Sequence, residues 1–164
     1  MSYYSQKLEN IREILQSNVY PPKFNAKRWK HVKVNCYAYA LDLPINDKEK
    51  LIFIPGRICD KNAEKVIWTD VTSKVKRDLE SLGISYREDD GILYEGEWRI
   101  AIYYIPTPHD YPISFHFVRQ DDDGFWSEKP SWEAKIRRFL QKTDTPPDLS
   151  EYGPKLESVL ILSK

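Results

Sequence analysis

Three side chains in this sequence have types and spacing suited to combined chemistry: Cys36, His116 and Glu128. A cysteine thiolate is a strong nucleophile, an imidazole can take the thiol proton, and a carboxylate can fix the imidazole in one tautomer and orientation. His116 and Glu128 are twelve positions apart in the stretch SFHFVRQDDDGFWSEKPSW, Ser114 to Trp132. That stretch reads as strand, tight turn, strand. Ser114–Gln120 is rich in aromatic and β-branched residues, Asp121–Gly124 is turn chemistry, and Phe125–Lys129 returns before Pro130. Facing positions in a hairpin come within about 5 Å, which suits a base and the group that orients it. Strand alternation puts His116 on a face with Ser114 and Val118. The missing member is a nucleophile, and Cys36 is the candidate.

Each of the three also has a plainer reading. Free cysteines are mostly small buried hydrophobes, a histidine can be a satisfied core residue, and Glu128 can be a surface strand residue. Context favours chemistry for Cys36. Asn35 precedes it as an N-cap and Ala38, Ala40 and Leu41 favour a helix after it. A cysteine in the first turn would meet the helix dipole and unpaired N–H groups, which favour a thiolate and can receive an oxyanion. Cys59, in Arg57–Asp60, lacks that setting and reads as structural. His31 and His109 fall in loops rich in Lys or Pro and read as solvated. The run Asp121–Asp123 is too short for a calcium loop. Asn35, Tyr37 and Gln120 are the further polar residues that could line the site, as substrate-binding or oxyanion groups, and no paired metal-ligand spacing appears.

The elements that must position these groups follow in order. Ser5–Gln16 has Leu8, Ile11, Ile14 and Leu15 on one helical face. Val19–Val34 reads as loop, and the Cys36 helix ends before Pro44. Leu51–Pro55 reads as a short strand ahead of a Pro55–Gly56 turn. Asp70–Leu82 reads as a helix, capped by Asp70 or Thr72 and ended by Gly83. Ile84–Arg87 and Glu97–Ile105 read as strands, the second by strict alternation. After the hairpin, Ser131 reads as the cap of a helix from Trp132 to about Gln141, with Ile136, Phe139 and Leu140 inward. Glu157–Leu162 is a last strand. Helices first and strands joined by short turns later predict an α+β fold with a mainly antiparallel sheet.

Composition limits the partners. At 164 residues one domain, 1–164, is expected. Lys plus Arg and Asp plus Glu balance at 25 each, which argues against a dedicated nucleic-acid surface. The local patch Lys27–His31 reads as a solvated loop. Two cysteines are too few for a disulfide framework. No apolar run approaches the roughly 20 residues of a membrane span, and the polar N-terminus lacks a secretory apolar region. A cytoplasmic location without membrane association is the expectation.

The same residues resemble the NlpC-type branch of papain-like thiol hydrolases, and within it a group of bacterial and phage proteins. That group carries an N-C-Y-x-Y-A segment, a P-G turn and then H-F-Y-R-Q-D-x-D-G-x-W-S-H-K-P-G. The counterparts are Asn35–Ala40, Pro55–Gly56, His116–Asp121 and Gly124–Pro130. The chain departs from the pattern at Glu128, where the group usually has His, and at Ser131, where it has Gly. The resemblance implies a papain-like domain: 1–34 an N-terminal helix and loop, 35–130 a catalytic core, 131–164 a C-terminal helix and last strand. The nucleophile opens a helix packed on the sheet, and the triad is Cys36, His116 and Glu128. It implies cleavage of an amide bond, in a peptide or cell-wall peptide, through an acyl-enzyme, with no metal or organic cofactor. The same triad in a transacylase or thioesterase, and a catalytically inactive binding module of the same fold, are the alternatives.

Overall fold

The computed structural model describes residues 2–46, 53–62, 71–106 and 114–164. Helix α1 is Tyr3–Ser17, opened by Ser2, whose side chain accepts from the Ser5 N–H. Helix α2 is the single turn Ala26–Trp29, capped by Asn25. It lies within the stretch expected to be loop. Helix α3 is Cys36–Ala40 and α4 is Val71–Leu82. The cap expected at Asp70 lies outside the described residues. Thr72 sends its N–H and hydroxyl to the Glu157 carboxylate.

Six strands follow: β1 Ser85–Glu88, β2 Trp98–Ile105, β3 Ser114–Gln120, β4 Phe125–Glu128, β5 Arg137–Lys142 and β6 Lys155–Ser163. They form one sheet in the order β1-β6-β2-β3-β4-β5, every neighbouring pair antiparallel. The protein is thus α+β with an antiparallel sheet, as its element pattern predicts. Among the described residues no helix is long and apolar enough to cross a membrane.

Strand β2 is buried on both faces through Tyr103. Trp98, Ile100 and Ile102 of β2 share a core with Phe117, with Leu160 and Leu162, and with the inner faces of α1, α3 and α4. Ala101 and Tyr103 point the other way, into a smaller core with Val118, Trp126 and Leu149. Alternation along the strands fixes this division. It also assigns the neighbours of the site: Phe117 and Arg119 face α3 and Val118 the other side, while His116 stands beyond the last paired residues of β3 and β4, at the open end of the hairpin.

Two expected elements differ. Residues 131–141 do not form a helix: Ser131–Ala134 is a bend, and Arg137–Lys142 is the edge strand β5. The residues Ile136, Phe139 and Leu140 have helical spacing, but ladder bonds to β4 override it. Phe139 then packs on the smaller core while Leu140, 94 % exposed, points out. The strand expected over 51–55 is, at its described residues Phe53–Pro55, a turn; Leu51 and Ile52 lie outside the described residues. Side chains take the place of a ladder here. The Asn35 amide donates to the Phe53 carbonyl at 2.6 Å, and the Gly56 N–H donates to Asp78 at 2.8 Å.

Candidate active site

Helix α3 is held at both ends. At its start Asn35 accepts from the Ala38 N–H at 3.2 Å, a side-chain cap, and its amide ties the cap to Phe53. At its end the buried Arg119 donates to the Tyr39 carbonyl at 2.9 Å and pairs with Asp42 at 3.1 Å and Asp121 at 2.9 Å. A cation among the last carbonyls of a helix opposes its dipole. The guanidinium also lies 3.9 Å from the Tyr39 ring centre. Tyr37 stacks on Phe117, and the hydroxyls of Tyr39 and Ser127 hydrogen-bond at 2.7 Å. Cys36 therefore begins a helix anchored on both β3 and β4. At five residues, the helix sums too few peptide dipoles to provide the thiolate-favouring field expected from it.

Strands β3 and β4 pair only at Arg119↔Ser127 and Gln120↔Trp126. Beyond that pair His116 and Glu128 reach across to each other. The carboxylate Oε2 and the imidazole Nε2 are 2.7 Å apart. The other carboxylate oxygen accepts from Arg137 Nε at 2.6 Å. With Nε2 engaged by Glu128, Nδ1 is the ring nitrogen left free, and Cys36 is close enough to the imidazole to shift its titration. Cys36 and Glu128 are buried and His116 is 12 % exposed.

The electrostatics follow from these contacts. Burial alone would lower the His116 pKa. The Glu128 hydrogen bond and charge, together with the nearby Cys36, outweigh it and push the imidazole up to about 10. Burial would raise Glu128, but the His116 and Arg137 contacts hold it below the usual glutamate value. The arrangement is a thiol against an imidazole whose protonated form is stabilised from its far side. Chemically, it can generate a thiolate–imidazolium pair.

The further polar residues have other duties. Tyr37 is fully buried and donates to Asp78 at 2.7 Å, so it braces the turn at Gly56 instead of lining a pocket. Gln120 is at the closed end of the hairpin, donating to the Gly124 and Thr143 carbonyls and accepting from Arg99. Asn35 has both ends of its amide in use and acts through the position of α3. Cys59 is exposed; its S–H donates to the Gly56 carbonyl, and burial of the sulfur together with the nearby Asp78 charge pushes the thiol up to about 11. His109 lies outside the described residues. Among the described residues no group of three or more His, Cys, Asp and Glu is arranged to hold a metal ion.

Sequence reasoning missed two members of the neighbourhood. Arg137, expected inside a helix, supports Glu128 from the edge strand. Lys129, adjacent to Glu128, is fully buried. Its sequence signal was the proline that follows it, which biases the preceding residue towards extended backbone and so fixes the face it points to.

Compared with family models, with curated proteins and with solved structures, the chain finds no match. Fold and site together define an α+β protein with an antiparallel sheet and a buried thiol–imidazole–carboxylate constellation.

Proposed function

We propose that this protein is a papain-like thiol hydrolase that cleaves an amide bond through Cys36, His116 and Glu128. The observation that carries this reading is the nearness of three side chains from α3, β3 and β4, with Glu128 hydrogen-bonded to the imidazole Nε2 and Cys36 coupled to the same ring. In the first step His116 Nδ1 takes the Cys36 proton. The thiolate sulfur bonds to the carbonyl carbon, and the carbonyl π pair moves to oxygen as an oxyanion. The backbone N–H of Cys36 is one donor to that oxyanion. The oxyanion collapses, the C–N bond breaks and His116 gives its proton to the leaving amine. A water, losing a proton to His116, then releases the acyl group and regenerates the thiol. Glu128 stays ionised throughout, holding His116 in one tautomer and offsetting its positive charge.

A peptide, including cell-wall peptide, is the substrate class that the resemblance in the Cys36 and His116 segments suggests. The test is a screen of matched amide, ester and thioester acyl donors on wild type, Cys36→Ala and His116→Ala. Amide turnover abolished in both variants supports the reading. Turnover of thioesters alone would make the protein a thioesterase. Turnover only with an added amine acceptor would make it a transacylase. No acyl adduct on Cys36 with any donor would leave a binding module.

A further inference from the structure

Lys129 is a cation in a place where cations are rarely left. Its side chain is fully buried, and among the described residues no carboxylate pairs with it. Its ammonium donates to the Ser131 carbonyl at 2.7 Å and the Trp132 carbonyl at 2.8 Å. Those bonds use two of its three N–H groups, and the third meets no other oxygen among the described residues. A buried charge without an opposite charge is costly, by several kcal/mol in order of magnitude. An anion formed nearby would offset that cost.

Backbone geometry identifies the nearby group. Ser127 faces α3, because its hydroxyl bonds Tyr39. Lys129, two residues on and held extended by Pro130, faces the same way. Two strand residues advance about 6.6 Å. Three helical residues back from Tyr39 is Cys36, on the same side of the helix and about 4.5 Å along its axis. As Ser127 is opposite Tyr39, Lys129 is opposite Cys36.

We propose that Lys129 is a further catalytic residue of the Cys36 site, its buried ammonium supplying the fixed positive charge and the spare N–H that hold the anion formed there. This rests on the reading in which Cys36 is the nucleophile. The anion is first the thiolate and then the oxyanion of the attacked carbonyl. Lys129 keeps its proton in both, and no bond to its nitrogen forms or breaks. It thus provides the second donor that the Cys36 N–H lacks. Burial pulls the Lys129 pKa down to about 8 against the opposing charge of Cys36, in keeping with an ammonium that meets no carboxylate. Among the described residues, the charged and titratable groups around Cys36 are then His116 from β3, Lys129 after β4, and, through His116, Glu128 and Arg137.

The test uses the full chain carrying Cys59→Ser, so that one thiol remains. Alkylation rates with neutral iodoacetamide and anionic iodoacetate are measured from pH 5 to 10 for the parent, Lys129→Met, Lys129→Arg and His116→Ala. Loss of one nearby positive charge is expected to lower the iodoacetate-to-iodoacetamide rate ratio about tenfold and to move the alkylation limb to higher pH. Lys129→Arg is expected to restore the ratio. Parent and Lys129→Met profiles that superimpose, while His116→Ala shifts, overturn the Lys129 role and leave the nucleophile reading intact. A His116→Ala profile that also superimposes overturns the nucleophile reading itself. A second measurement needs no change at Lys129. The titration of the Lys129 ammonium is followed by NMR of 13C-labelled lysine in wild type and Cys36→Ala. Removing the sulfur is expected to lower its midpoint, and an unchanged midpoint overturns the proposal.

Discussion

Replacing Glu128 with glutamine keeps the shape of the side chain and removes its charge. In the wild type one carboxylate accepts from two cationic groups, His116 at 2.7 Å and Arg137 at 2.6 Å. A carboxamide offers one oxygen and one NH2. If the oxygen faces His116, the NH2 meets the Arg137 donors. If it faces Arg137, the NH2 donates to Nε2 and forces the proton onto Nδ1, where it blocks the base. The better arrangement keeps a neutral hydrogen bond to His116 and lets Arg137, 66 % exposed, turn to water. A hydrogen bond to a charged group contributes about 1.5–3 kcal/mol net, and a neutral one about 0.5–1.5. The difference, about 1–1.5 kcal/mol, is roughly 5- to 15-fold in rate. Loss of the base itself in His116→Ala costs about 10²–10⁴-fold. The assay is iodoacetamide alkylation of Cys36 against pH, with thermal denaturation as a control for folding. Glu128→Gln should slow alkylation at neutral pH about tenfold and move its limb upward in pH, because the imidazolium loses its partner. A loss equal to or larger than that of His116→Ala would refute the assignment of Glu128 as the orienting group.

Three further outcomes test the scaffold. Asn35→Ala removes the cap of α3 and leaves the Phe53 carbonyl unpaired, at a cost of about 2 kcal/mol; a melting temperature lowered by about 4–8 °C is expected, and an unchanged one contradicts the dual role. Arg119→Met leaves Asp121 a buried carboxylate without its cation, while Asp42 keeps Arg28, so a loss of about 3–5 kcal/mol in urea unfolding is expected, and a loss under 1 would contradict it. The Glu128 pKa is depressed in the folded state, so its contribution to stability is present above the unfolded value near 4.5 and is lost as pH falls through the folded one. Wild type should therefore lose melting temperature more steeply than Glu128→Gln between pH 6 and 3; parallel curves would refute it.

What could be read from the sequence is local, and what could not depends on distant partners. The Cys36 helix was legible because Asn35 caps it within three residues. The hairpin was legible because its turn residues, Asp121 to Gly124, lie between its strands. Residues 131–141 misled because Ser131, Ile136, Phe139 and Leu140 satisfy a helical pattern locally, while the pairing of β5 with β4 decides the outcome. Tyr37 reads from the sequence as a packing residue that could also reach the rim of the site. Its hydroxyl instead bonds Asp78, forty-one residues away, on the side of α3 that faces the turn at Gly56. Arg119 gave no sign of its role, since its partners Tyr39 and Asp42 lie about eighty residues earlier in the chain. The burial of Lys129 has no local signature, because it depends on the elements that enclose it.

Competition between the two cysteines for one thiol-selective probe at pH 6 to 8, followed by peptide mapping, tests the central claim most directly. Cys59 is exposed but its thiol is held up near 11, whereas Cys36 is buried beside an imidazole. Activation by His116 predicts that Cys36 labels first, that His116→Ala slows this labelling, and that Cys59 reacts slowly in both proteins. Labelling that follows exposure, with Cys59 modified first and His116→Ala indistinguishable from wild type, would contradict the account.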